Sequence, residues 1–179
     1  MNENLVSVAR SYTNLLNLID WEDRLMVQGI KEGLNKFLSN AFLSTRVETK
    51  YKSADFYSEL ALNKINLGNT SDLIYEHMIP KQKYIQSLCI EKAEKKQLKQ
   101  EFVVDLLERY WKDAVITKAE DMQLNMRAMP EFWDGSNIFA RYQEAGIKLI
   151  QSPFLTNDEL WSKLLVRVNN GNYKFHNVS

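Results

Sequence analysis

His77 is one of two histidines in this 179-residue chain, and the other, His176, stands almost at its end. It lies in Tyr75-Glu76-His77-Met78-Ile79-Pro80, where an acidic residue, a histidine and a proline three places later follow a short apolar run. Imidazole is the side chain best suited to take or give a proton near neutral pH, and an adjacent carboxylate supplies hard oxygen donors. This is the place where the sequence points to chemistry. The competing reading is a histidine packed among apolar neighbours and hydrogen-bonded to backbone.

The elements that must hold His77 follow from periodicity. Val6, Ala9, Tyr12, Leu15, Leu16 and Ile19 recur at helical spacing and predict a first helix. Asp20 reads as the N-cap of a longer one, with Trp21, Leu25, Ile30, Leu34, Phe37, Leu38, Ala41 and Phe42 along its dry face. From Ser53, the residues Phe56, Leu60, Leu62 and Ile65 predict a third helix. Leu67-Gly68-Asn69-Thr70-Ser71 is the clearest break, a glycine fit to cap a helix followed by turn formers. Residues 72–79 are short, apolar and β-tolerant and end at Pro80, so they read as a strand carrying Glu76 and His77.

Residues 81–96 are helical and mostly polar, and a second helix from about Gln97 carries Phe102, Val103, Leu106, Leu107, Tyr110 and Trp111 on one face. Residues 113–117 read as a second short strand. Thr117 with Glu120 three residues on has the spacing of a capping box, opening a helix expected to run to about Met126. Residues 129–135 form a loop around Trp133, read as a structural plug, and residues 136–145 a short helix stopped by Gly146. A last helix is expected over 158–166, with a turn at 169–172.

A strand ending in Glu-His, a long connection, a second strand and a helix start resembles the ββα-metal arrangement of HNH (His-Me finger) nucleases. The resemblance covers about residues 73–126 and rests on two pieces. One is Tyr75-Glu76-His77-Met78-Ile79-Pro80, and the other is Val115-Ile116-Thr117-Lys118-Ala119-Glu120-Asp121. It implies His77 as the general base that takes a proton from water, and Glu76 as first ligand of one Mg²⁺ or Mn²⁺. The family's second ligand comes from the helix, and this chain departs there, because the expected position falls near Asp121 or Met122 and a thioether does not bind Mg²⁺. Asp121 and Asn125, one helical turn apart, are the candidates. Arg46, Lys50 and Lys52 around Tyr51, together with Lys118 and Arg141, are candidate phosphate contacts; the plainer alternative is ordinary helix-end cations and ion pairs.

The expected fold is therefore α+β and predominantly helical, a helical bundle enclosing a small two-stranded ββα-like element. One domain of 1–179 is expected, with an N-terminal helical region over 1–67, a core over 72–127 and C-terminal helices and tail over 128–179. Composition narrows the function. One cysteine, Cys89, excludes an internal disulfide and fits a reducing cytoplasm, and its helical apolar setting makes it a buried hydrophobe. No secretory signal is expected, and no run is long enough to span a bilayer. Neither glycine-rich phosphate loop is present, so a nucleotide cofactor has no support.

With 23 basic and 23 acidic residues the chain lacks the basic excess of a strong nonspecific DNA binder, though residues 81–99 are lysine-rich. Two functions lead, and a third, a sequence-specific DNA-binding module without cleavage, would need a recognition helix for which the lysines of residues 81–99 are the candidate. The first is an HNH-type metal-dependent phosphodiesterase acting on DNA, of bacterial or phage origin, for which a homodimer would be natural. The second is a non-catalytic helical module that binds another protein and carries a degenerate nuclease-like site. A nuclease requires His77 and at least two oxygen ligands to converge on an accessible cleft with positive surroundings, whereas an interaction module predicts a buried His77 bonded to backbone and an exposed apolar patch elsewhere.

Overall fold

The computed structural model describes residues 3–44 and 49–154. Helix α1 spans Glu3–Asn17 and α2 Arg24–Ser44. The cap of α2 is Asp23, not Asp20: Asp23 Oδ1 accepts from the backbone N–H of Leu25 and Met26, while Asp20 closes a turn by accepting from Glu22. Both aspartates are of a capping type, and the helix begins only after the second, at Arg24. On α2, Leu34, Leu38 and Phe42 are buried at steps of four, whereas Leu25 remains exposed.

Residues 56–58, expected in a helix, form strand β1 (Phe56–Ser58) instead, and helix α3 (Glu59–Asn66) begins only after it. Ser58 marks the boundary, because its hydroxyl accepts from the Ala61 N–H as an N-cap. Gly68, at φ +71, ends α3 as its position predicts. Strand β2 is Leu73–His77, followed by a π-helical turn at Gln82–Gln86, helix α4 (Ser87–Glu94) and helix α5 (Gln100–Tyr110). Strand β3 is Asp113–Thr117 and helix α6 is Lys118–Asp121.

The capping box between Thr117 and Glu120 is present, and buried Glu120 also accepts from Ser58. The helix it opens stops at Asp121, short of Met126. Asn125 Oδ1 accepts from the N–H groups of Arg127 and Ala128, a local turn that competes with helix, and Leu124 is drawn into the core. Helix α7 is Ala140–Glu144, shorter than expected because Asp134 and Asn137 form similar turns ahead of it; Gly146, at φ +68, stops it. Strand β4 is Leu149–Gln151, and residues 158–166 and 169–172 lie outside the described residues.

Among the described residues four strands form one mixed sheet in the order β2-β3-β1-β4. Strand β3 is antiparallel to β2 and parallel to β1, and β4 is antiparallel to β1. The molecule is thus α+β and helix-rich, with a larger sheet than the two strands expected. Strands β1 and β4 have three residues each, too few for an alternating pattern to register in sequence.

Strand alternation gives the sheet two lined faces. Leu73, Tyr75 and Val115 meet Ala54, Tyr57 and Ala61 of the α3 side. Ile74, Ala114 and Ile116 meet Leu124, Ile138 and Tyr142 of the α7 side. A separate apolar cluster joins α1, α2, α4 and α5 through Tyr12, Leu16, Leu38, Val103 and Leu107. Cys89 is buried in that cluster, and burial pushes its thiol up to about 12, which makes it inert at neutral pH. No helix among the described residues is long and apolar enough to cross a membrane.

Candidate active site

His77 is the last residue of β2, and the antiparallel register sets it directly opposite Asp113, the first residue of β3. Directly opposed residues share a sheet face, so the carboxylate meets the ring, with Asp113 Oδ1 2.6 Å from His77 Nδ1. Both atoms are buried, and the oxygen lacks hydrogen-bond alignment with the ring nitrogen, so the pair is a close contact rather than a formed hydrogen bond. A carboxylate at that distance still favours the proton on Nδ1 and leaves Nε2 with a lone pair.

Asp113 is held from three sides. Its Oδ2 accepts from the Tyr75 hydroxyl at 2.9 Å, its N–H donates to Asp55 Oδ2, and its carbonyl accepts from the Asp55 N–H. Trp111, itself stacked on Phe42, walls the imidazole with ring centres 4.5 Å apart. The other ring edge is polar. His77 Nε2 lies 3.2 Å from the Ser39 hydroxyl on α2, and that hydroxyl accepts from Lys81 Nζ at 2.6 Å. Burial lowers the Lys81 pKa, partly offset by Asp113. The His77 side chain keeps 18% of its exposure, so the ring is reachable, and both its nitrogens face side chains rather than backbone.

Glu76 goes the other way. Adjacent residues on a strand point to opposite faces, and Glu76 turns to the α7 side. There its Oε1 accepts from Arg141 Nη2 at 2.5 Å and from the Tyr142 hydroxyl at 2.6 Å. Asp121, the last residue of α6, is close enough to raise the Glu76 pKa, and the chain beyond α6 brings the Asn125 carbonyl onto Arg141 Nη1. The Glu76 carboxylate and the Asn125 carbonyl therefore meet at the Arg141 guanidinium, across the sheet from the His77 ring.

This donor set does not fit a divalent ion as folded. Glu76 Oε1 is taken by Arg141 and Tyr142, and Asn125 Oδ1 by two backbone N–H groups. Among the described residues no three of His, Cys, Asp and Glu come together as ligands.

Arg141, read from sequence as a phosphate contact, is a correction. It is 2% exposed, and besides Glu76 and Asn125 it donates to the carbonyls of His77 and Met78. Its role is to fasten the end of β2. Lys118 is exposed but opens α6 next to Thr117, at the far end of the β2–β3 ladder from His77. Lys50 and Lys52 are exposed on a 3-10 turn, where Lys50 lies over the Tyr75 ring on the His77 face and Lys52 over Phe154. Arg46 lies outside the described residues. The residues that sequence reading missed are Asp113, Ser39 and Lys81. Only Asp113 had a signal, as the first residue of a strand that had to pair with the one carrying His77.

Burial raises the Glu76 pKa above the ordinary carboxylate range, with Arg141 and Tyr142 opposing it. A carboxyl whose folded pKa exceeds its unfolded value contributes stability that is present below the unfolded pKa, near 4.3 on a rough scale, and lost as pH rises through the folded one. Glu76→Gln removes that titration. The unfolding free energy of the variant, from urea titrations, is expected to decline less than that of wild type as pH rises from about 4, by at most about 1.4 kcal/mol per pH unit. Parallel curves would show that Glu76 titrates alike in both states.

In comparisons with known proteins, the chain matches no family model, no curated protein and no solved structure.

Proposed function

We propose that this chain is a phosphodiesterase acting on DNA, with His77 as general base and Asp113 orienting its imidazole. The observation that carries the reading is a reachable ring with a carboxylate at Nδ1 and a polar, cationic edge at Nε2. Nε2 accepts the proton of the attacking oxygen, and Asp113 stabilises the imidazolium that forms. Lys81 offsets charge on the oxygens at that edge, and Lys50, over the Tyr75 ring on the same sheet face, is the cation proposed to meet the phosphate backbone. The order β2, β3, α6 is also that of the ββα element to which the sequence is similar.

No step is assigned to Mg²⁺ or Mn²⁺, since Glu76 is committed to Arg141. Nicking of supercoiled plasmid by the full chain is therefore expected in Mg²⁺, in Mn²⁺ and in EDTA alike. Activity lost in EDTA would mean that Glu76 exchanges Arg141 for a metal. No nicking by folded protein would sink DNA hydrolysis. A protein-interaction module would then be the better reading, favoured by the exposed apolar side chains of Met122, Met126 and Phe132.

A further inference from the structure

Ser39 is half-buried on α2, and its hydroxyl occupies the place on His77 Nε2 where a hydrolytic water would otherwise sit. The protons at this hydroxyl can be assigned. The Lys81 ammonium has only hydrogens to offer, so Ser39 Oγ is the acceptor in the 2.6 Å contact with Lys81 Nζ. The single hydroxyl proton is then left for Nε2 at 3.2 Å. With Asp113 on the far nitrogen, the carboxylate, the imidazole, the hydroxyl and the ammonium form one chain from Asp113 to Lys81.

We propose that Ser39 is the nucleophile, attacking the phosphodiester to form a phosphoseryl intermediate; this rests on the reading of His77 as the base of a phosphodiesterase. As Oγ bonds to phosphorus, its proton passes to His77 Nε2, and Lys81 steadies the charge on the oxygen. The bond from phosphorus to one sugar oxygen breaks, its electron pair stays on that oxygen, and His77 returns the proton to it. Water, deprotonated by the same Nε2, then attacks phosphorus and displaces Oγ, which recovers a proton from His77. The net reaction is hydrolysis, with no oxidant, reductant or second substrate. The order carboxylate, imidazole, hydroxyl is that of a serine hydrolase triad, here with a close contact in place of the carboxylate–imidazole hydrogen bond and a lysine beside the hydroxyl.

The test uses the full chain and a DNA duplex body-labelled on both strands, quenched in SDS during the first turnover. Label is expected to stay with the denatured protein, and mass spectrometry of the adduct is expected to place it on Ser39. Ser39→Ala, a change that favours helix and spares the fold, is expected to abolish the adduct and slow cleavage by about a hundredfold or more. Lys81→Met is expected to slow adduct formation while leaving the adduct on Ser39. Cleavage by Ser39→Ala at close to the wild-type rate, or an adduct on another residue, overturns the proposal while leaving His77 as a base acting on water. A wild-type chain that cleaves nothing, or a His77→Ala variant that cleaves normally, overturns the phosphodiesterase reading and this inference with it.

Discussion

Replacing His77 by alanine is expected to lower kcat for DNA nicking by about 10²- to 10⁴-fold, the range for loss of a positioned general base. The substitution removes the ring that links Asp113 to Ser39, while the strand pairing of β2 with β3 is made by backbone and survives. KM is expected to change little, because Lys81 and Lys50 remain to meet phosphate. Asp113→Asn, which keeps the shape of the side chain, is the companion variant. It is expected to lower kcat with KM unchanged, and to move the imidazole ¹⁵N shifts of His77 away from the Nδ1–H pattern. The shift pattern separates an orienting role from a merely structural one, since loss of packing alone would not change which nitrogen holds the proton. Wild-type kcat in His77→Ala would end the catalytic reading of this face of the sheet.

The largest expected loss of stability is at Arg141→Ala. Removing the guanidinium leaves Glu76 as a nearly buried carboxylate whose remaining partner is Tyr142, and it also strips donors from the carbonyls of His77, Met78 and Asn125. Breaking a buried pair from one side costs about 3–5 kcal/mol, a large share of the roughly 5–15 kcal/mol that holds a domain together. The expected readout is a large drop in urea midpoint. The double variant Glu76→Gln with Arg141→Met is expected to recover part of the loss, because no uncompensated charge is then buried. A midpoint shift worth less than about 1 kcal/mol for Arg141→Ala would show that the pair is weak and that the end of β2 is fastened by other contacts.

The two variants divide along the sheet. His77 and Asp113 lie on one face, and Glu76 and Arg141 on the other, although Glu76 and His77 are neighbours in sequence. The resemblance to HNH nucleases puts those two residues in one centre. Here the alternation of β2 sends the carboxylate to a guanidinium and the imidazole to a carboxylate.

Much of the framework was legible in the residues. Helices α1, α2 and α5 announced themselves through apolar spacing, β2 and β3 through short apolar runs, and the box at Thr117 through its partner at Glu120. These signals are local, since they depend on residues within a turn or two of one another. What the sequence did not carry was whatever depends on partners distant along the chain. Strands β1 and β4 exist because β3 and β1 offer them edges, not because of any pattern of their own.

The site divides the same way. Sequence by itself determined that His77 closes a strand, that Glu76 adjoins it and that Asp113 opens the next strand. Only tertiary structure decided that the register sets Asp113 against His77, that Ser39 arrives from a helix 38 residues away and that Arg141 claims Glu76 from 65 residues away. The physical reason is that pairing and burial choose among all the groups the folded chain brings near, whereas periodicity and capping report only on a residue's own turn of backbone.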